Sequence, residues 1–142
     1  MTDKIGIYGF NGPYRWLSNF EKVPIVYEGI TYPSVENAYQ AAKFVDSDDR
    51  LKFEVCNAFE AKKYGKEMSG RREDWQHISI ELMTFFNRQK YAQEPFKQRL
   101  IDTRDLYIEE TNTWGDVFWG VCNGTGENHL GLILMKIREE LQ

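Results

Sequence analysis

Between residues 34 and 44 the chain reads Ser34-Val35-Glu36-Asn37-Ala38-Tyr39-Gln40-Ala41-Ala42-Lys43-Phe44, with a carboxylate, an amide and an amine at i, i+4 and i+7. On a helix that spacing lines Glu36, Gln40 and Lys43 along one face. One reading of that stripe is a pocket wall that carries a carboxylate, an amide and an amine. The same stripe also suits the solvated side of a surface helix, since polar pairs at i,i+4 are common. A second pair, Asp116 and Trp119, sits far downstream. A ring that stacks on a base beside a carboxylate suits cleavage of a base–ribose bond, which leaves an oxocarbenium-like sugar carbon. A proton donor near the departing base adds about 10²–10⁴-fold. Trp119 as ordinary core is the competing reading.

Other candidates are weaker. Gly124-Thr125-Gly126 ahead of the last helical stretch is a candidate phosphate cradle, or an ordinary glycine loop. No Gly-Lys-Ser/Thr follows it, so it is not a P-loop, and His129 stands where a dinucleotide fingerprint has its third glycine. Lys62, Lys63, Lys66, Arg71 and Arg72 form a basic run suited to phosphates or to solvent, and Arg15 beside Trp16 is a similar candidate. His77 and His129 are isolated and no clustered ligand spacing exists, which argues against a metal centre. No G-x-S-x-G elbow is present, and turn and cap roles suffice for Ser18 and Ser34.

The elements that must position these residues follow from pattern. Pro33 and Ser34 predict a helix beginning at Val35, with Val35, Ala38, Ala42 and Val45 on its apolar stripe. Ahead of it, residues 24–27 and 30–32 flank Glu28-Gly29 and predict a tight hairpin. Residues 5–8 read as a strand. Short helices are expected near residues 50–56, capped from the Asp46–Asp49 stretch, and over 58–64, stopped by Gly65. Trp75, Ile78, Leu82 and Phe85, with Phe86 and Met83 nearby, share a helical period, so the longest helix should span about 74–91 as a main core element. A helix over about 94–102 starting with Pro95, a strand at 106–108 and a final helix from 128 or 129 to 141 complete the set. Residues 110–127 hold Gly115, Gly120, Gly124 and Gly126 without helical period and read as a long functional loop. The expected class is α+β, a single helix-rich domain over residues 1–142 with a small antiparallel sheet.

At 142 residues the chain is long enough for a packed core without disulfides, and an aromatic content of 15% makes that core ring-rich. A net charge of -4 disfavours nonspecific binding to nucleic acid or anionic membrane, so any anion must be held locally. Cys56 and Cys122 lack a C-x-x-C spacing and suit reduced thiols. The first residues lack a signal-peptide core and no apolar run is long enough to span a bilayer, so a soluble, cytoplasmic protein is expected.

Four segments in order resemble the NADAR (YbiA-like) family: Arg15-Trp16-Leu17-Ser18-Asn19-Phe20, the Glu36 segment, Asp116-Val117-Phe118-Trp119-Gly120, and the stretch from Gly126-Glu127-Asn128-His129-Leu130-Gly131 to Arg138. The resemblance implies an N-glycosidase that acts on a ribose carbon bonded to nitrogen. ADP-ribosyl-guanine, free or in nucleic acid, comes first, and phosphorylated intermediates of riboflavin synthesis second. A noncatalytic binder of ADP-ribose or NAD is the alternative, and an interaction protein with a vestigial pocket a further one. No cofactor and no metal is implied. The family motif places its catalytic glutamate on Glu36 and its lysine on Lys43, and its Asp-x-x-Trp-Gly on Asp116, Trp119 and Gly120. Asn37 stands where the family commonly has histidine. The resemblance thus gives Glu36, Lys43 and Asp116 as catalytic, and Trp119, Asn128, Arg15, Asn19, Gln40, Gly120 and Gly126 as substrate-binding. It leaves open whether Lys43 forms a Schiff base or acts electrostatically. Acid and amine from one helix, and acid and indole from a distant loop, are expected to line one cavity.

Overall fold

The computed structural model describes residues 5–142. In chain order its elements are β1 (Gly6–Tyr8), a 3-10 helix (Gly12–Leu17), β2 (Lys22–Tyr27), β3 (Ile30–Ser34), α1 (Val35–Ala41), α2 (Ser47–Val55), α3 (Ala58–Glu67), α4 (Trp75–Tyr91), α5 (Phe96–Asp102), β4 (Tyr107–Glu109), β5 (Thr111–Asn112), β6 (Val121–Cys122) and α6 (His129–Leu141). This is the helix-rich α+β class that the sequence predicts. The chain sorts into two compact units, Asn19–Lys90 and a second that joins residues 5–18 to Tyr91–Gln142.

In the unit Asn19–Lys90, β2 and β3 form the expected antiparallel hairpin, paired Ile25↔Tyr32, Val26↔Thr31 and Tyr27↔Ile30. Its two turn residues both take positive φ, Glu28 at 48° and Gly29 at 83°, the backbone that matches strand twist in a two-residue turn. Val23, Ile25, Tyr32 and Ser34 point inward at period two. β3 feeds straight into α1, where the Ser34 hydroxyl accepts the Asn37 N–H at 3.1 Å and fixes the start at Val35, as predicted. Every residue of α1 is buried, so the solvated-side reading of this helix is excluded. Asn37 is fully buried and donates from Nδ2 to the carbonyls of Phe53 and Cys56, at 2.8 and 2.9 Å, which ties α1 to the end of α2.

Several expectations need correction in this unit. α1 ends at Ala41, so Lys43 lies just past it, held by the bond from its N–H to the Gln40 carbonyl. Val45 is exposed and not part of the apolar stripe. Gly65 does not stop α3 but lies inside it. The inward face of α4 is also rotated from the predicted one. Ser79, Met83, Phe86, Asn87 and Lys90 are buried, while Phe85 is exposed and Trp75, Ile78 and Leu82 are half-buried. Three of those five buried residues are polar, so a reading by hydrophobicity selects the neighbouring stripe.

In the second unit β1 and β4 pair in parallel, Gly6↔Tyr107 to Tyr8↔Glu109, and α6 packs on β4 with Leu130, Ile133, Leu134 and Ile137 buried as expected. β5 and β6 also pair in parallel, so among the strands of the described residues the antiparallel pairing expected from the sequence is that of the β2–β3 hairpin. Arg138 of α6 is buried and donates to Thr103 Oγ1 and to the Leu106 carbonyl, both at 2.9 Å. Among the described residues no helix is long and apolar enough to cross a membrane.

Burial pushes the Lys90 ammonium down to about 7, with Glu21 opposing. Between that value and the ordinary lysine range the unfolded chain carries the proton and the folded chain does not. Stability therefore rises with pH across this window, by up to about 1.4 kcal/mol per pH unit. Urea unfolding between pH 7 and 10 is expected to show this rise in the wild type and to lose most of it in Lys90→Met. An equal slope in both proteins contradicts the assignment.

Candidate active site

Glu36 and Gln40 of α1 form a pair, and Lys43 just past the helix meets rings from α1 and α4. Gln40 Nε2 donates to Glu36 Oε2 at 2.7 Å, and these two side chains are 5% and 8% exposed. They belong to a shielded pair on a helix face turned into the protein. Lys43, half-buried, lies next to two rings, its Nζ 5.4 Å from the Tyr39 centroid and 5.8 Å from that of Trp75. Those rings meet edge to face, 4.9 Å apart with their planes at 60°.

Burial lowers the Lys43 amine below the ordinary lysine range. Glu36 raises it in opposition, and Arg71 adds to the lowering. A lowered amine is the form that can act as a nucleophile. Arg71 reaches this place through the backbone: residues 44 and 71 form an antiparallel bridge, and the Arg72 N–H donates to the Lys43 carbonyl at 2.7 Å. The Arg71 guanidinium is steadied by the Lys66 carbonyl at 2.7 Å, and Arg72 pairs with Asp74 at 2.7 Å. Part of the basic run thus borders Lys43, with Arg72 committed to an acid of its own.

Trp75 is the residue the sequence reading missed. It falls on a helical period with other large apolar residues, which hides its half-exposed position beside Lys43. Its signal was the place it holds at the first turn of α4, directly after the basic run.

Asn19, expected to touch substrate, stands at the start of α1. It is buried, its carbonyl accepts the Glu36 N–H at 3.0 Å, and its amide meets Met83 Sδ at 3.4 Å and Asn87 Nδ2 at 3.5 Å. These bonds make Asn19 a bracket between the start of α1 and α4. Gln40, also expected on substrate, gives its Nε2 to Glu36, and its Oε1 is buried.

The loop of the second unit forms its own cluster. Asn112 is buried and acts as its hub: Nδ2 donates to the Asp116 carbonyl at 2.8 Å and to Glu110 Oε2 at 3.0 Å, while Oδ1 accepts from Asp116 N–H at 3.1 Å. Asp116 Oδ1 in turn accepts the N–H groups of Phe118 and Trp119, at 3.1 and 2.9 Å. The half-buried Trp119 ring meets Phe118 edge on at 4.8 Å, and Phe118 lies 4.5 Å from His129.

Asn128, expected to hold ribose or phosphate, is instead buried with its amide bonded to backbone. Oδ1 accepts from Glu110 N–H and Nδ2 donates to the Ile108 carbonyl, each at 3.0 Å. Gly120 and Gly126 are explained by packing. A Cβ on Gly120 would strike Glu110, and one on Gly126 would strike the Gly120 carbonyl. The phosphate cradle at the start of α6 is also corrected, because Glu127, Asn128, His129 and Leu130 donate their N–H groups to the carbonyls of Val117, Gly120, Phe118 and Trp119. Arg15 is exposed on the 3-10 helix.

A family model described as the NADAR domain matches residues 8–142. The N-glycosidase YbiA of Escherichia coli K12 is 32% identical over 141 residues, covering 96% of this chain and 88% of that protein. A riboflavin biosynthesis protein of Vibrio vulnificus is 37% identical over 148 residues, and this chain spans 40% of its length. The solved NMR structure of E. coli YbiA matches with a TM-score of 0.83 at 30% identity, covering 99% of this chain and 87% of that one.

The opposed effects on Lys43 give a signed test by NMR titration of the ¹³C-dimethylated amine. Glu36→Gln removes the opposing carboxylate and is expected to move the Lys43 midpoint further down, whereas Arg71→Gln is expected to move it up. A midpoint unchanged in both variants contradicts the cluster.

Proposed function

The chain belongs to the NADAR family, and from that premise we propose that it is an N-glycosidase cleaving the bond between ribose C1′ and a heterocyclic nitrogen. The observation that carries this reading is the shielded Glu36–Gln40 pair with a lowered lysine amine and two rings next to it. In the reaction the C1′–N bond breaks, its electrons leave with the base nitrogen, and C1′ becomes electron-deficient. Glu36 stabilises that charge, water supplies hydroxide to C1′, and the remaining proton goes to the departing base. Lys43 acts either as a nucleophile on a ring-opened sugar or as an electrostatic group. Trp75 offers a face for the planar base. Asp116 as a catalytic group and Trp119 as a stacking ring are proposed on the family motif.

For the substrate we propose ADP-ribosyl-guanine, free or in nucleic acid. Arg71, whose charge acts on Lys43, suits its diphosphate. A second reading, phosphorylated precursors of riboflavin, is favoured by relatives named for riboflavin biosynthesis, including a chloroplastic protein of maize that is 30% identical over 125 residues.

Incubation with a guanine-ADP-ribosylated oligonucleotide, and separately with the riboflavin precursors, tests both readings. Release of ADP-ribose is expected, with a loss of about 10²-fold or more in Glu36→Gln. Borohydride should trap a protein–sugar adduct that Lys43→Ala abolishes if the amine is covalent. Turnover of the precursors alone selects the second reading, and binding of ADP-ribose without turnover of either substrate leaves a binding module. Equal rates in wild type and Glu36→Gln remove Glu36 from the chemistry.

A further inference from the structure

Gly65 lies buried in the interior of α3, where glycine is a poor helix residue. Its φ needs no glycine, so its reason must be space. The three atoms nearest to a Cβ at position 65 are all of Gln40, its Oε1, Cδ and Cβ. Gln40 is the residue whose Nε2 holds Glu36 Oε2, and its own Oε1 is buried without a hydrogen-bond partner. Hydrogen bonding therefore fixes only one end of this amide. The other end rests against bare glycine backbone.

We propose that Gly65 is a positioning residue that acts through Gln40. The missing side chain lets α3 close on α1 and hold the Gln40 amide with its N–H toward the Glu36 carboxylate. Any side chain at 65 swings that amide away from the Glu36 carboxylate and breaks this bond. The consequence for catalysis rests on the reading of Glu36 given above, whereas the consequence for the amide does not.

Kinetics and NMR test the two parts separately. Gly65→Ala and Gln40→Ala are each expected to lower kcat by about tenfold or more with KM nearly unchanged, since a misplaced reacting group costs rate rather than affinity. Both act through one contact, so Gly65→Ala/Gln40→Ala should be no slower than Gln40→Ala alone. The pair should also recover thermal stability that Gly65→Ala loses, because alanine at 40 makes room. Losses that multiply in the double variant overturn the proposal, as does Gly65→Ala with wild-type kcat. Where Gly65→Ala alone does not fold, the comparison of the double variant with Gln40→Ala decides. The Gln40 side-chain amide resonances read the contact without any turnover. They are expected to move in Gly65→Ala in the same direction as in Glu36→Ala, and resonances unmoved by Gly65→Ala overturn the steric seat even if Glu36 proves catalytic.

Discussion

The bond between the Asn37 N–H and the Ser34 hydroxyl is the constraint from which the candidate site takes its geometry. α1 has only seven residues, and a start shifted by one position turns each of its side chains by about 100°. Glu36, Tyr39 and Gln40 would then face other neighbours. The cap is reinforced because Ser34 Oγ also bonds Asn37 Oδ1 at 2.6 Å, while Asn37 Nδ2 holds the end of α2. Asn37, at the position where the family commonly has histidine, therefore has a complete fold role in this chain. Its side chain is committed to backbone and cap, and no proton-transfer role is needed to explain it.

Several influences compete at Lys43, and burial wins over the attraction of Glu36. The adjacent Tyr39 and Trp75 rings favour the charged amine, but partly exposed cation–ring contacts are worth only about 0.5–1 kcal/mol. The like charge of Arg71 works against them. The result is an amine eased toward its neutral form beside a carboxylate held by an amide donor. That pairing of a softened base with a fixed anion suits a reaction in which positive charge develops on a sugar carbon.

Local signals read from the sequence held where a single local interaction decides the outcome. The Ser34 cap, the Glu28–Gly29 turn and the apolar stripe of α6 are of this kind, and each formed where its residues place it. The reading failed where tertiary partners decide. The inner face of α4 carries Ser79, Asn87 and Lys90, whose burial depends on groups elsewhere, such as Asn19 for Asn87. Trp75 looked like core for the same reason: periodicity gives a face but not what lies opposite it. In the loop, Asn112 carries the network around Asp116, yet it belongs to no motif. A buried asparagine that serves five backbone and side-chain partners is indistinguishable in sequence from an ordinary turn residue.

Glycine was the least legible residue, because one sequence signal serves different physical ends. Near a helix it can mean a stop, an anion cradle or a close approach. At Gly65 and Gly126 the structure shows close approach, to a side chain in one case and to backbone in the other. The energetic balance explains why glycine at 65 is tolerable. It costs about 1 kcal/mol of helix propensity relative to alanine. The bond it protects, from the Gln40 amide to the Glu36 carboxylate, belongs to a class worth about 1.5–3 kcal/mol when one partner is charged. The larger effect is the one that glycine preserves, so the weak point in α3 is the condition for a well-held acid in α1.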